Sequence, residues 1–222
     1  MTGAETARAQ EIRHPLFARF FDRLSRLMEP ELGPHRDRLL AGLSGTILEL
    51  GAGNGVNFSH YPRSVREVVA LEPEPFMRAK AQAAAAHAPV PVRVLPGVAS
   101  ALPFEARRFD AAVASLVLCS VPDLGRAIAE LRRVLKHGGE LRFLEHVRAA
   151  GANKAAIQAL LDRSGLFPLL GGGCHCSRRT EAAIAAGGFA LLEAEQICLG
   201  ASWWVTNPHV RGSARGVSAA RG

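Results

Sequence analysis

The 222-residue chain has no uninterrupted apolar run long enough to cross a bilayer, and no hydrophobic signal region near its start. A helical span takes about 20 such residues, so the pattern favours a cytoplasmic protein and leaves only peripheral membrane contact open. Cysteine is scarce, with Cys119, Cys174, Cys176 and Cys198 the only four. So few, so placed, do not make a disulfide framework, and free thiols in a reducing compartment are the simpler reading. Structural zinc takes four ligands, usually as two separated pairs, and Cys174-His175-Cys176 is too short a run with no second pair nearby. No metal is expected. The net charge is +7, yet no Lys/Arg run is interleaved with aromatic residues as in single-stranded nucleic-acid grooves. A solvated Arg-rich surface accounts for the charge, and no nucleic-acid partner is expected.

What is present is organised around Thr46 to Asn57, TILELGAGNGVN. A short apolar run ending in a glycine-rich turn reads as a buried strand passing into a helix. Glycine lets a ligand approach the backbone, and a helix start offers N–H groups to a carboxylate or phosphate. A dinucleotide fingerprint needs a small residue three positions after its second glycine, and Val56 stands there. That opposes a nicotinamide-dependent oxidoreductase. Glu72 follows a strand (Glu67 to Leu71) about twenty residues past the turn, where an acid meets ribose hydroxyls in nucleotide-binding βαβ units.

The remaining elements alternate. Helical spacing over His14 to Pro30 precedes a short helix at Pro34 to Leu43. Later helices are expected over Met77 to His87, Pro122 to Lys136, Ala152 to Ser164, and up to Gly187-Gly188 with Ser177 or Thr180 as cap. Strands are expected at Val90 to Leu95, from Phe109, at Glu140 to Leu144, and as an antiparallel pair at Phe189 to Leu199 and Trp203 to Val210. Residues 1–13 read as a disordered N-terminus, 14–210 as one α/β domain, and 211–222 as a basic disordered tail.

The pattern E-L-G-A-G-N-G resembles motif I of the class I S-adenosylmethionine methyltransferases, whose loop holds the methionine part of the cofactor. The resemblance implies a single Rossmann-like sheet of seven strands, helices on both faces, and an N-terminal helical lid. It implies S-adenosylmethionine as cofactor and S-adenosylhomocysteine as product. By the same resemblance the cofactor meets Glu49, Gly51, Ala52, Gly53, Asn54, Gly55 and Asn57, then Glu72 and Pro73. Ala99, Ser100, Leu116 and Val117 complete the set. Val98 stands where the family usually has an acid for the adenine amine, so backbone groups and apolar packing must serve. The N-P-P-Y type element of nucleic-acid amino-methyltransferases is absent from the exit S-L-V-L-C-S.

Ligands of open α/β sheets bind beyond the carboxyl ends of the strands, and Glu145 and His146 close one strand. Histidine titrates near neutrality, which suits it as base toward a thiol or phenol, so these two are the catalytic candidates. G-x-G-x-G-x-N-F-x-x-Y-P, L-V-L-C-S-V, G-G-x-x-x-F-x-E-H-V, the G-C loop and P-H-x-x-G are similar to the methyltransferase-like protein 7 thiol methyltransferases and their bacterial relatives. That narrower resemblance implies a small-molecule acceptor, a thiol foremost. A quinone, phospholipid or other O, N or C acceptor fits the same fold. A cofactor-binding module without turnover is the non-enzymatic alternative.

Overall fold

The computed structural model describes residues 12, 14–201 and 203–217. The expected disordered N-terminus falls almost wholly outside the described residues. Two helices, α1 (Pro15–Leu27) and α2 (Glu29–Leu40), lead into β1 (Gly45–Leu50). Then come β2 (Val65–Leu71), α3 (Pro75–Ala85), β3 (Val92–Leu95), β4 (Phe109–Ser115), α4 (Leu124–Val134) and β5 (Leu135–His146). The chain closes with α5 (Ala152–Arg163), α6 (Leu166–Leu170), α7 (Thr180–Ala186), β6 (Phe189–Cys198) and β7 (Pro208–Gly216).

The strands form one seven-stranded sheet, as the resemblance implied, and their order is β3-β2-β1-β4-β5-β7-β6. β1 to β5 are parallel, and β7 pairs antiparallel with both β5 and β6. Crossovers leave β1 and β4 in opposite directions, so a crevice opens above their carboxyl ends. The central strands are apolar on both faces because helices cover both. Leu48, Leu50, Ala112, Phe143 and Val210 pack with Ile128 and Leu131 of α4 and Ile184 of α7. On the other face Ile47, Val68, Ala70 and Val113 pack with Leu32, Leu39 and Leu40 of α2 and Ala81 of α3. Among the described residues no helix is long and apolar enough to cross a membrane.

Several boundaries differ from the sequence expectation. α2 starts at Glu29 with Pro30 in its first turn, so Pro34 lies inside the helix instead of opening it. The glycine turn is followed by a single 3-10 segment, Val56–His60, because Tyr61 turns extended just before Pro62. α4 stops at Val134, and β5 begins at once with Leu135 paired to Phe109. The strand then shifts register before Glu140 pairs with Ala111, which places Lys136–Gly139 in the offset. α7 has Arg179 at its N-cap and no side-chain cap bond. The last strand is shifted toward the C-terminus: Trp203 to Asn207 form turns, and Pro208–Gly216 is the strand. Arg211 to Gly216 therefore belong to the sheet and not to a tail, Arg211 to Arg215 paired on both sides and Gly216 on one, and residues 218–222 lie outside the described residues.

Candidate functional site

A cavity of about 660 Å³ opens at the carboxyl ends of β1, β2, β4 and β5. Its lining is mainly apolar, and its size is that of a nucleoside-bearing ligand plus a small partner. Phe17, Phe21 and Leu24 place α1 across it, and Phe167, Leu170, Gly171, Gly172 and Cys174 with Leu199, Gly200, Ala201, Trp204 and Thr206 form the far wall.

The first half of the cavity is built by β1 and β2. Gly51, where β1 leaves the sheet, has φ +57, and a Cβ there would meet Val117 Cγ2 at 2.5 Å. Only glycine allows the turn and the β4 exit to approach so closely. Gly53, at φ +58, turns its N–H onto Glu72 Oε2 at 2.7 Å, and Glu72 Oε1 accepts the Glu74 N–H at 2.9 Å. Each oxygen keeps a further lone pair for a ligand. Burial pushes the Glu72 carboxyl up to about 7, against these backbone donors, which pull the other way. Pro73, Val98, Ala99, Ser100, Leu116 and Val117 also line this half.

Five of the residues expected to meet the cofactor do not line the cavity. Glu49 is buried, accepting the Tyr61 hydroxyl at 2.7 Å and Asn57 Nδ2 at 2.9 Å. Burial raises its carboxyl to about 7. Buried Arg36 of α2 donates to Asn57 Oδ1 and, at 3.2 Å, to Ser115 Oγ, so Glu49 and Asn57 belong to a network that braces the turn from behind. Asn54 points up, donating to Asp22 Oδ1 at 2.9 Å and Ser25 Oγ at 2.8 Å. It ties α1 over the loop. Ala52 packs into the core with its N–H on the Leu71 carbonyl at 3.0 Å, and Gly55 supplies a turn at φ +81. Replacing Asn54 by Ala should cost about 1–2 kcal/mol and loosen α1. Hydrogen exchange should then speed up along Pro15–Leu27 while strand amides stay protected.

The second half is built by the β4 exit, the end of β5 and the loop after α6. Leu116 takes φ +57, a conformation rare for a branched side chain, with its N–H on Leu144 O at 2.7 Å. The next three N–H groups converge on Glu145: Val117 and Leu118 on Oε1 at 3.1 and 2.9 Å, and Cys119 on Oε2 at 3.1 Å. Glu145 is 0% exposed, and burial raises its carboxyl. Successive strand residues face opposite ways, so Glu145 and His146 cannot both reach the cavity. The structure brings His146 there and not Glu145.

His146 Nδ1 lies 3.5 Å from Cys174 Sγ and 3.7 Å from Cys119 Sγ. The two thiols are in hydrogen-bond contact, which lowers Cys174, helped by His146, and raises buried Cys119. The ring of His209 packs 4.3 Å from that of His146. His209 Nδ1 donates to Asn207 O at 2.8 Å, while Nε2 is buried with no partner. Burial drives its pKa down to about 3, which keeps the ring neutral. Cys176 is set aside from this group: its N–H binds Asp162 Oδ1 at 3.1 Å, and burial beside that carboxylate pushes its thiol up to about 12. Sequence reasoning missed Arg36, Tyr61, Cys119 and His209 as site-building residues. A hint existed in L-V-L-C-S-V and P-H-x-x-G, but nothing local links segments so far apart.

The fold, the glycine turn with its acid after β2, and the cavity at the strand ends define a class I methyltransferase. Residues 48–143 match the family described as a methyltransferase domain. The human thiol S-methyltransferase TMT1A is 33% identical over 180 residues, covering 78% of this chain and 72% of the relative. The rat thiol S-methyltransferase TMT1B is 33% identical over 175 residues, covering 76% and 70%. The crystal structure of the N-methyltransferase NodS from Bradyrhizobium japonicum superimposes with a TM-score of 0.62 at 20% identity, covering 86% of this chain and 97% of that one. The chain belongs to the family of S-adenosylmethionine-dependent methyltransferases that includes TMT1A and TMT1B. It is an enzyme that uses S-adenosylmethionine and acts on a small-molecule acceptor. The residues present fit that cofactor, since Glu72 keeps acceptor capacity at the wall and Gly53 leaves the backbone bare beside it.

Proposed function

We propose that this methyltransferase transfers methyl to the sulfur of small lipophilic thiols. The observation that carries the reading is the second half of the cavity, where a mainly apolar wall surrounds the group His146, Cys119 and Cys174. Such a wall favours an acceptor with one nucleophilic atom on an apolar body, and offers little to a charged or highly hydroxylated one. The names of TMT1A and TMT1B support the choice of sulfur.

In this reading Gly51, Gly53, Glu72, Pro73, Ala99, Ser100, Leu116 and Val117 hold the cofactor. Glu72 takes the ribose hydroxyls, and the backbone at Ala99 and Ser100 with apolar Val98 takes the adenine. The cofactor, when bound, supplies an electrophilic methyl on a sulfonium. The protein adds alignment and dryness: α1 covers the crevice, and the β4 exit fixes the wall on which the acceptor lies. Glu145 is a positioning residue that holds that exit. His146 is the group at hand to take the acceptor's proton, and thiols surrender one readily.

Incubation with methyl-labelled S-adenosylmethionine and a panel of alkyl thiols, phenols, quinols and amines tests the proposal. Label should appear in the thiols and rise with their apolar size. Label only in quinols or amines would overturn the choice of sulfur while leaving the enzyme class intact.

A further inference from the structure

The same group in the cavity wall is also a metal-donor set. Cys119, His146 and Cys174 come from three separate segments, and one donor atom from each lies within 4.8 Å of the others. Zinc bonds of about 2.3 Å to sulfur and about 2.0 Å to nitrogen, at the tetrahedral angle, place S and N about 3.5 Å apart. The observed separations of Nδ1 from the two sulfurs are 3.5 and 3.7 Å. Both are close to that nitrogen–sulfur separation.

The loops that carry the donors are fastened to each other independently of them. The His175 N–H donates to the Cys119 carbonyl at 2.8 Å, holding the residue after Cys174 against the β4 exit. Arg178 adds a bond to the Val121 carbonyl at 2.7 Å and another to that of Leu118. Donors preset in this way lose little freedom when an ion arrives. All three donor residues also line the cavity, so a fourth tetrahedral position opens toward it. Two cysteines, one histidine and an open position is a donor pattern of catalytic zinc, whereas structural zinc is closed by four protein ligands. Thiolate and imidazole donors select zinc-like ions over magnesium or calcium.

We propose that Cys119, His146 and Cys174 bind one zinc-class cation whose fourth position receives the sulfur of the acceptor. The second clause rests on the S-methylation reading; the ion site does not. The ion takes both cysteines as thiolates, so loading it releases to solvent whatever thiol protons they carry, and a thiol entering the fourth position gives up its own proton as it coordinates. No oxidation state changes. The ion would then do the deprotonation otherwise left to His146.

The test uses the full chain, reduced, stripped with a chelator, and titrated with Co(II) in place of zinc. A thiolate-to-cobalt charge-transfer band should grow to saturation at one ion per chain. It should vanish in Cys119→Ser and Cys174→Ser and persist in Cys198→Ser, whose thiol is exposed and outside the group. A band that never forms, or that survives both substitutions, overturns the site. Should the variants fail to fold, alkylation of the unaltered chain with and without Zn(II) decides. Zinc should slow labelling of Cys174 at least tenfold and leave Cys198 unchanged, and equal labelling of Cys174 overturns the site. Adding a small alkyl thiol to the Co(II) protein, without cofactor, should change the band. If thiols are methylated but leave the band untouched, the fourth-position assignment falls. If the band responds but thiols are never methylated, the S-methylation reading falls and the ion site stands.

Discussion

Glu72→Gln should weaken S-adenosylmethionine binding by about 10- to 100-fold, the range for losing hydrogen bonds to a charged acceptor. The amide keeps the volume, but it gives up one acceptor oxygen where the Gly53 and Glu74 N–H groups already draw on both. The same residue should make cofactor affinity depend on pH. Burial holds its carboxyl near 7 in the free protein, and ribose hydroxyls donating to it, as proposed, would favour the charged form. Affinity should therefore be steady above pH 7 and fall about tenfold per unit below it, as protonated carboxyl must first lose its proton. Titration calorimetry from pH 5.5 to about 8.5 should show that slope in the native chain and a flat line in Glu72→Gln. A flat native profile would place the ribose elsewhere.

The fold has its own pH signature, and its sign is opposite. Glu49 and Glu72 both have carboxyls raised from 4.5 to about 7 by burial. The native state therefore holds protons that the unfolded chain has lost, across that window. Their contribution to stability is fully present below pH 4.5 and is lost as pH rises through 7. Cofactor should restore the Glu72 share alone, because Glu49 sits in the network behind the turn with Tyr61 and Asn57.

The alternation of helices with apolar strands was legible from local chemistry, and the resemblance carried by motif I supplied the seven-stranded sheet. A strand buried on both faces must be apolar throughout, and a chain that brings its turn against Val117 must have glycine at 51. What sequence could not resolve was direction. Glu49, Asn54 and Asn57 sit in the same dozen residues as Gly51 and Gly53, yet their side chains point behind the turn or up to α1. Whether a polar side chain faces a cavity or a neighbouring helix depends on partners far along the chain, such as Arg36 and Asp22. The Cys119–His146–Cys174 group was equally hidden. The contiguous Cys174-His175-Cys176 drew attention, whereas the fold uses Cys174 with distant partners and ties Cys176 to Asp162. The error at the C-terminus has a similar origin: Arg211–Gly216 is small and basic in composition, but two flanking strands supply its hydrogen bonds.

Glu145 carries the other large effect, and it separates architecture from chemistry. Glu145→Ala would leave the N–H groups of Val117, Leu118 and Cys119 facing a space with no acceptor. Each unsatisfied buried donor costs about 1–3 kcal/mol, and partial relaxation brings the expected total to about 3–5 kcal/mol. For a chain of this size that is a melting temperature lower by about 10 °C. Glu145→Gln keeps one acceptor oxygen but turns an amide N–H₂ toward at least one backbone donor, so about half that loss is expected. The functional consequence should follow the loop and not the proton. The β4 exit already holds Leu116 at φ +57, a strained turn that persists because the three bonds to Glu145 over-determine it. Released, it should carry Cys119 and Val117 out of register, lowering kcat by more than it weakens cofactor binding, since Gly53 and Glu72 stay in place. A pH–rate profile of the Gln variant unchanged in shape would fit positioning. A profile that loses a limb would make Glu145 a proton carrier, and an unaltered melting temperature in the Ala variant would mean that the three N–H groups find other partners.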